Sequence, residues 1–365
     1  MDTIDQQIEA IQEVLRKTPH HKATNGFIGQ MRAKIARLKD KQSLAYDAKE
    51  IGGGGGAGGF TVKKQGDATI VLIGPPSAGK STLINQLTNA ESKVAPYAFT
   101  TVTVVPGMLK YNEAYIQILD IPGLIEGAKE GRGRGREVLS VARGADLLVI
   151  MTDVKRSGFF TKMVKELEGA GIRINQTKPD ITIEKKTEGG LEIQSNLKQE
   201  VDKEMVKEIA REYGIKNGII KLKEKITLDR LFDAFSISRV YVPAIFVINK
   251  IDLQKSSLKK GGSLGSNYLY ISADNNIGLD DLLVNIWKNL RFVTVYLVRP
   301  DEEPNFNNPI VMKENETLKD VAVKIGTDFA DSKKLVKIWG SSAKFPGQEV
   351  SLTTKVTEGM LIRFL

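Results

Sequence analysis

TIVLIGPPSAGKSTLINQL, residues 69–87, is a short β-rich run, a glycine-bearing loop and a helical pattern in direct succession. Thr69 to Ile73 is apolar and β-branched, as a buried strand requires. Gly74 to Ser81 then matches G-x4-G-K-[ST], the phosphate loop, in the strand-to-helix context that this motif needs. Its glycines let backbone N–H groups close on phosphate oxygens, and the helix from Ser81 to Leu87 adds the positive end of its dipole. Pro76, Ser77, Ala78, Gly79, Lys80, Ser81 and Thr82 are therefore the expected phosphate-binding residues. Lys80 is expected to bridge the β- and γ-phosphates, and Ser81 to hold magnesium.

Further buried-strand candidates follow at Tyr115 to Leu119, Leu147 to Met151 and Ile245 to Ile248. Strands alternating with helices predict an α/β domain with a parallel-rich sheet. Chemistry-bearing residues stand at the ends of these strands. Asp120-Ile121-Pro122-Gly123 follows the second one; its carboxylate reaches magnesium through water, and Gly123 offers an N–H to the γ-phosphate. The plain alternative is an Asp-x-Pro-Gly turn. Between the two motifs, Thr101, with Thr100 as the alternative, is expected to complete the magnesium shell; Lys80, Thr101 and Gly123 are the expected catalytic set.

Asn249-Lys250-Ile251-Asp252 follows the strand at Ile245 to Ile248. A carboxylate at Asp252 accepts two hydrogen bonds from guanine N1–H and its 2-amino group, an arrangement adenine lacks. Ser272-Ala273 adds a backbone N–H for guanine O6. Unpaired polar groups in such a site reject the wrong base by about 10⁴-fold or more. In this order the motifs specify GTP rather than ATP. The glycine- and arginine-rich run at 126–136 then reads as a switch with two backbone arrangements, or more plainly as solvated loop charge.

The bulk numbers agree. At 365 residues the chain exceeds one ordinary core, and its charge of +9 suggests a polyanionic partner, nucleic acid before membrane. It has no cysteine and two histidines, His20 and His21, which leaves neither disulfides nor thiolate or imidazole metal centres and suits a cytoplasmic location. No apolar run approaches a membrane span, and no signal segment is expected before the first helix.

Residues 1–50 read as two helices broken at Thr18-Pro19, with Ile4, Ile8, Ile11 and Leu15 on one face and Ile28, Met31, Ile35 and Leu38 on the other. Arg16, Lys17, Lys22, Arg32, Lys34, Arg37, Lys39 and Lys41 stand against Asp40 alone over that stretch, without i,i+4 acidic partners, so the hairpin is expected to meet a phosphate backbone. Residues 51–60 read as a polyglycine linker or an unusual polyglycine packing element. The GTPase domain is expected at 61–156 and 236–290, interrupted at 157–235 by a lysine- and glutamate-rich α+β insertion. A small mixed β domain occupies 291–365.

The sequence resembles the developmentally regulated GTP-binding proteins, inside the wider Obg group. HKATNGFIGQMRAKIARL, GGGGGAGGFTVKKQGDATIVLIG, FTTVTVVPG, DIPGLIEGAKEGRGRGREV, GIRINQTKPDITIEKKTEGG and NKID carry the likeness nearly end to end. Around Tyr296 to Pro300 and Val336 to Gly340 the tail resembles a TGS domain, a β-grasp module. The resemblance implies a helical hairpin, an interrupted GTPase domain, a TGS domain, and association with ribosomes or translation factors; a ribosome or structured RNA is the expected partner. A protein regulator is a further expected partner, membranes are not, and a monomer is expected. Ala98 stands where the family tends to have an acidic residue, and Pro75 replaces a common aromatic.

Ras-like enzymes orient the attacking water with a glutamine after this glycine, and here the position is Leu124. Slow intrinsic turnover follows. The resemblance implies a potassium ion near the phosphate loop, although Ser77 replaces the asparagine of some potassium-dependent relatives. An arginine from 132–136, or one from a partner, is the competing device. A passive RNA-binding or scaffold protein that holds GTP without turnover is the alternative function. An ATPase is disfavoured by Asp252.

Overall fold

The computed structural model describes residues 3–19, 24–50, 65–88, 105–121, 134–156, 158–253 and 268–365. The polyglycine run, Ala98, Thr100, Thr101, Gly123 and Leu124 lie outside the described residues. In chain order the elements begin with α1 (Ile4–Lys17), α2 (Asn25–Glu50), β1 (Ala68–Ile73), α3 (Lys80–Thr88), β2 (Val105–Tyr111), β3 (Ala114–Asp120), α4 (Arg134–Gly144), β4 (Leu147–Asp153) and α5 (Phe159–Gly169). Next come β5 (Ile172–Ile174), β6 (Ile181–Lys185), β7 (Leu191–Ser195), α6 (Lys203–Glu212), β8 (Gly218–Leu222), α7 (Leu228–Phe235), β9 (Val240–Val242), β10 (Ala244–Asn249), β11 (Tyr268–Tyr270) and α8 (Leu279–Leu290). The chain ends in β12 (Phe292–Leu297), β13 (Pro309–Lys313), α9 (Leu318–Ile325), α10 (Thr327–Ser332), β14 (Leu335–Trp339), β15 (Gln348–Ser351) and β16 (Leu361–Phe364). Two compact units emerge, one from 61–166 with 242–365 and the other from 1–60 with 167–241.

The first unit is built on a six-stranded sheet in the order β11-β10-β4-β1-β3-β2. Every pairing is parallel except β2 with β3. All six residues of β1 and all seven of β4 are buried, which explains their unbroken apolar reading: helices cover both faces. The edge strand β2 escaped the sequence reading because Pro106 and Gly107 interrupt its pattern. Proline is tolerated there because an edge strand leaves N–H groups unused. Gly107 is needed, since a Cβ would sit 2.7 Å from both Ile84 Cγ2 and Thr88 Cγ2 of α3.

The unit's second sheet runs β13-β12-β16-β14-β15, with β12 parallel to β16 and the other neighbours antiparallel. Leu318, Val321 and Ala322 of α9 cover Val295, Val336, Ile338 and Ile362 on one face. That strand order with a covering helix is a β-grasp arrangement. It is fastened to the first sheet by Lys324 Nζ on Asp67 Oδ1 at 2.5 Å and Lys313 Nζ on Asp146 Oδ1 at 2.7 Å. Trp287 adds edge contacts to Tyr111 and Phe292, with ring centroids 5.9 and 5.1 Å apart.

In the other unit, α1 opens with a capping box, Thr3 Oγ1 accepting from the Gln6 N–H while the Gln6 side chain accepts from the Thr3 N–H. It ends at Thr18, whose extended backbone is what a following proline imposes. Ala33 and Ala36 of α2 join Val206, Ile209 and Ala210 of α6 and Leu231, Phe232 and Phe235 of α7 in one core with the sheet β6-β8-β7. Gly29 faces Met205 of α6, and a Cβ there would be in ordinary contact with its Sδ at 3.4 Å. The expectation of unpaired basic residues is corrected here. Lys17 has an i−4 partner in Glu13 at 2.7 Å, and Arg37 meets Glu212 at 3.2 Å, a pairing that only tertiary packing creates.

Beneath α2 lies a buried ionic cluster. Arg239 bridges Asp233 Oδ1 at 2.7 Å and Asp40 Oδ1 at 3.2 Å, while Arg173 Nε and Nη2 clasp Asp233 at 2.6 and 2.7 Å. Ser236 and Ser238 hydroxyls also donate to Asp40 Oδ1. Removing one partner of a buried ion pair strands the other charge, which costs about 3–5 kcal/mol. Arg239→Ala is therefore expected to lower the urea midpoint by that amount of stability. An unchanged midpoint would show that the cluster carries little.

Candidate active site

β1 delivers the chain into the turn at 74–79, and the sheet leaves that turn little room. A Cβ on Gly74 would lie 2.3 Å from Met151 O of β4. Ser77 and Gly79 take left-handed φ values of +60° and +90°, which bend the loop into the start of α3. Lys80 then arches back over the loop. Its Nζ donates to Gly74 O at 3.2 Å and Pro75 O at 3.3 Å, and its side chain is only 9% exposed. Thr82 is half-buried in the first turn of the helix.

At the end of β3, Asp120 faces the same turn. Ser81 Oγ donates to Asp120 Oδ2 at 3.0 Å, and Lys80 Nζ stands 3.7 Å from Oδ1. Burial raises the Asp120 pKa above the ordinary aspartate value, against the opposing pull of Lys80 and the Ser81 hydroxyl. Oδ1 is buried and has no hydrogen-bond partner among the described residues. An orphaned carboxylate oxygen beside a serine hydroxyl is the hard-oxygen pair that magnesium takes when phosphates supply further ligands. The residues present fit that ion. No cluster of three His, Cys, Asp or Glu side chains occurs among the described residues, so an all-protein cage is not found there.

The second half of the site is placed by β10, whose last residue, Asn249, pairs in register with Asp153 of β4. Asn249 is buried and acts as a bolt: Nδ2 donates to Ala78 O at 2.8 Å, and Oδ1 accepts from Ala273 N at 3.0 Å. One carboxamide thus ties the phosphate loop to both downstream motifs. Gly79 is what lets it in, because a Cβ would lie 2.3 Å from Asn249 Nδ2. Lys250, at φ +63°, lays its chain over the loop, Cε being 3.8 Å from that same Cβ position. The 3₁₀ turn Ile251–Leu253 leaves Asp252 exposed to solvent.

Ser272 N–H donates to Ile277 O at 3.0 Å and Ala273 N–H to Asn249 Oδ1 at 3.0 Å. The Ser272-Ala273 pair holds the motifs in place, through hydrogen-bond demands that sequence spacing does not reveal. Thr101 and Gly123 lie outside the described residues. A residue that sequence reasoning missed is Arg156, in the turn after β4, whose Nη1 donates to Pro76 O at 3.2 Å. No motif marks it, since a lone arginine after a strand reads as loop charge.

Residues 69–186 match the family model described as a 50S ribosome-binding GTPase, and residues 188–292 match the C-terminal region of that domain. A GTP-binding protein of Methanocaldococcus jannaschii is 42% identical over 365 residues, 98% of this chain and 92% of that one. The Xenopus laevis developmentally regulated GTP-binding protein 1 is 40% identical, covering 94% of each chain. Ribosome-interacting GTPase 1 of Saccharomyces cerevisiae is 39% identical over 97% of this chain and 96% of that one.

Proposed function

The chain belongs to the developmentally regulated GTP-binding protein family of GTPases, and from that premise we propose that it is a slow GTP-hydrolysing switch that works on the ribosome. The observation that carries this reading is the Asn249 carboxamide joining Ala78 O to Ala273 N–H, because it couples phosphate binding to base recognition. Residues Pro76 to Thr82 bind the phosphates, Lys80 leaving its carbonyl partners for the β- and γ-oxygens. Asn249, Lys250 and Asp252 recognise guanine, with Ser272 and Ala273 as their support. Ser81, Asp120 and Thr101 would hold magnesium, which would neutralise charge on the transferred phosphoryl group. Water attacks the γ-phosphorus, the bond to the β–γ bridging oxygen breaks, and GDP and inorganic phosphate leave with the water's proton on phosphate or buffer.

The ribosome link is supported by the name of the yeast relative, the description of the family model, and the basic hairpin at 1–50. The β-grasp module at 291–365 is read as the TGS domain, 51–60 as the linker, 61–156 with 236–290 as the GTPase domain, and 157–235 as its insertion. No described helix is long and apolar enough to cross a membrane, and we place the protein in the cytoplasm.

The test is GTP turnover with and without ribosomes, in potassium and in sodium buffers. Stimulation by ribosomes supports the switch; a flat, near-zero rate throughout contradicts it and favours a GTP-holding scaffold. Equal rates in the two salts remove potassium from the mechanism.

A further inference from the structure

The phosphate loop contains two consecutive prolines, Pro75 and Pro76, and so lacks two backbone N–H donors on the arm before Ser77. Neither residue can tie that arm down through its own amide. The structure supplies a substitute from outside the loop. Arg156 Nη1 donates to Pro76 O at 3.2 Å while its Nε stands 3.2 Å from Asp153 Oδ2.

The main chain at Arg156 is held in place, while its side chain is half-exposed. Its N–H donates to Asp153 O at 3.2 Å, and its carbonyl accepts from Phe159 N at 2.9 Å and from the buried Thr152 hydroxyl at 3.4 Å. Asp153 is buried, its other oxygen accepts from Lys155 N at 3.0 Å, and in the sheet it lies opposite Asn249. The guanidinium therefore spans from the end of β4, the neighbour of β10, to the proline arm of the phosphate loop.

We propose that Arg156, anchored by Asp153, is a positioning residue for GTP hydrolysis: it holds the Pro75-Pro76 arm in its phosphate-binding form. The effect falls mainly on the third phosphate. Lys80 Nζ, which serves the β- and γ-phosphates, lies against Gly74 O and Pro75 O, so the arm before Ser77 stands on the γ-phosphate side of the loop. A loosened arm then disturbs the reacting group more than it disturbs bound GDP, and small misplacements of a reacting group cost about 10²-fold.

This inference rests on the phosphate-loop reading above, so the experiment separates the two. Single-turnover hydrolysis of bound GTP and equilibrium GDP affinity are measured for the full chain, Arg156→Ala, Arg156→Lys and Asp153→Asn, with Lys80→Ala as the control. Arg156→Ala is expected to slow hydrolysis about 10-fold or more, as a displaced reacting group does, with GDP affinity nearly unchanged. Arg156→Lys, able to make one of the two bonds, is expected to fall between, Asp153→Asn to slow hydrolysis likewise, and added guanidinium to restore part of the Arg156→Ala rate. Wild-type hydrolysis by Arg156→Ala overturns the proposal, and so does an equal loss of GDP and GTP affinity with no change in the rate of bound GTP. Nucleotide binding that survives Lys80→Ala would instead overturn the phosphate-loop reading.

Discussion

An Asp252→Asn chain is expected to lose GTP affinity by about 10⁴-fold and to prefer xanthosine triphosphate. A carboxylate only accepts, and guanine presents two adjacent donors, N1–H and the 2-amino group. The carboxamide replaces one acceptor with a donor, which confronts the 2-amino group donor to donor. Xanthine carries a carbonyl at that position, so the same carboxamide becomes complementary to it. Asp252 is exposed in this structure on a turn whose neighbours are firmly held, Asn249 by Ala78 and Ala273 and Ile251 N–H by Ile271 O at 3.3 Å. The substitution therefore changes recognition without removing a buried contact. Competition among GTP, XTP and ATP measures it. Undiminished GTP preference would remove Asp252 from base recognition.

Asp120→Asn is expected to lower magnesium-dependent GTP hydrolysis about 10- to 100-fold, the range seen when groups that hold or orient a metal are lost. The carboxamide keeps the shape and can still accept from the Ser81 hydroxyl, but it removes the negative charge that a hard cation requires. Wild-type magnesium binding should also weaken on the acid side. Burial favours the protonated carboxyl, so the folded-state pKa lies above that of the unfolded chain. By linkage, that shift stabilises the fold below the unfolded pKa, and this contribution is lost as pH rises through the folded value. Metal needs the opposite, ionised form, so protons compete with it at a higher pH than for an ordinary aspartate. Magnesium titrations of hydrolysis at several pH values test this; a pH-independent magnesium requirement would contradict it.

The sequence was most informative where chemistry and secondary structure share residues. Thr69 to Ile73 is buried on both faces and feeds a loop whose glycines are needed for backbone geometry, so pattern and motif point the same way. Val105 to Tyr111 was illegible because an edge strand tolerates proline, and because Gly107 answers to Ile84 and Thr88, which are distant along the chain. Gly218 to Leu222, the middle strand between β6 and β7, opens on a glycine and alternates buried with half-buried positions, a weak signal beside the lysine-rich segments around it.

The same distinction holds at the site. Asn249 is visible as part of a tetrapeptide, but its role as a bolt depends on Ala78 and Ala273, neither of which carries a polar side chain. Arg156 is bound to a main-chain carbonyl, and bonds to carbonyls leave no trace in residue types. The basic hairpin shows the converse error. Lys17 and Arg37 look unpaired when charge is counted over a window that excludes Glu13 and Glu212, and the folded chain supplies both partners. Exposed pairs of this kind contribute little stability, so they leave the helices available to a polyanion at small loss.

Leu124 still stands where a water-orienting side chain is expected, and one of the side chains bonded to the phosphate loop is an arginine outside the glycine-rich run. On the proposed reading, positioning carries the hydrolysis, and slow turnover that a partner accelerates is the expected behaviour. The most direct measurement is single-turnover hydrolysis of GTP and of ATP by the purified chain with magnesium, beside Lys80→Ala. Slow GTP cleavage, no ATP cleavage and none of either by Lys80→Ala is the predicted result. Equal cleavage of ATP, or cleavage that survives the loss of Lys80, would contradict it.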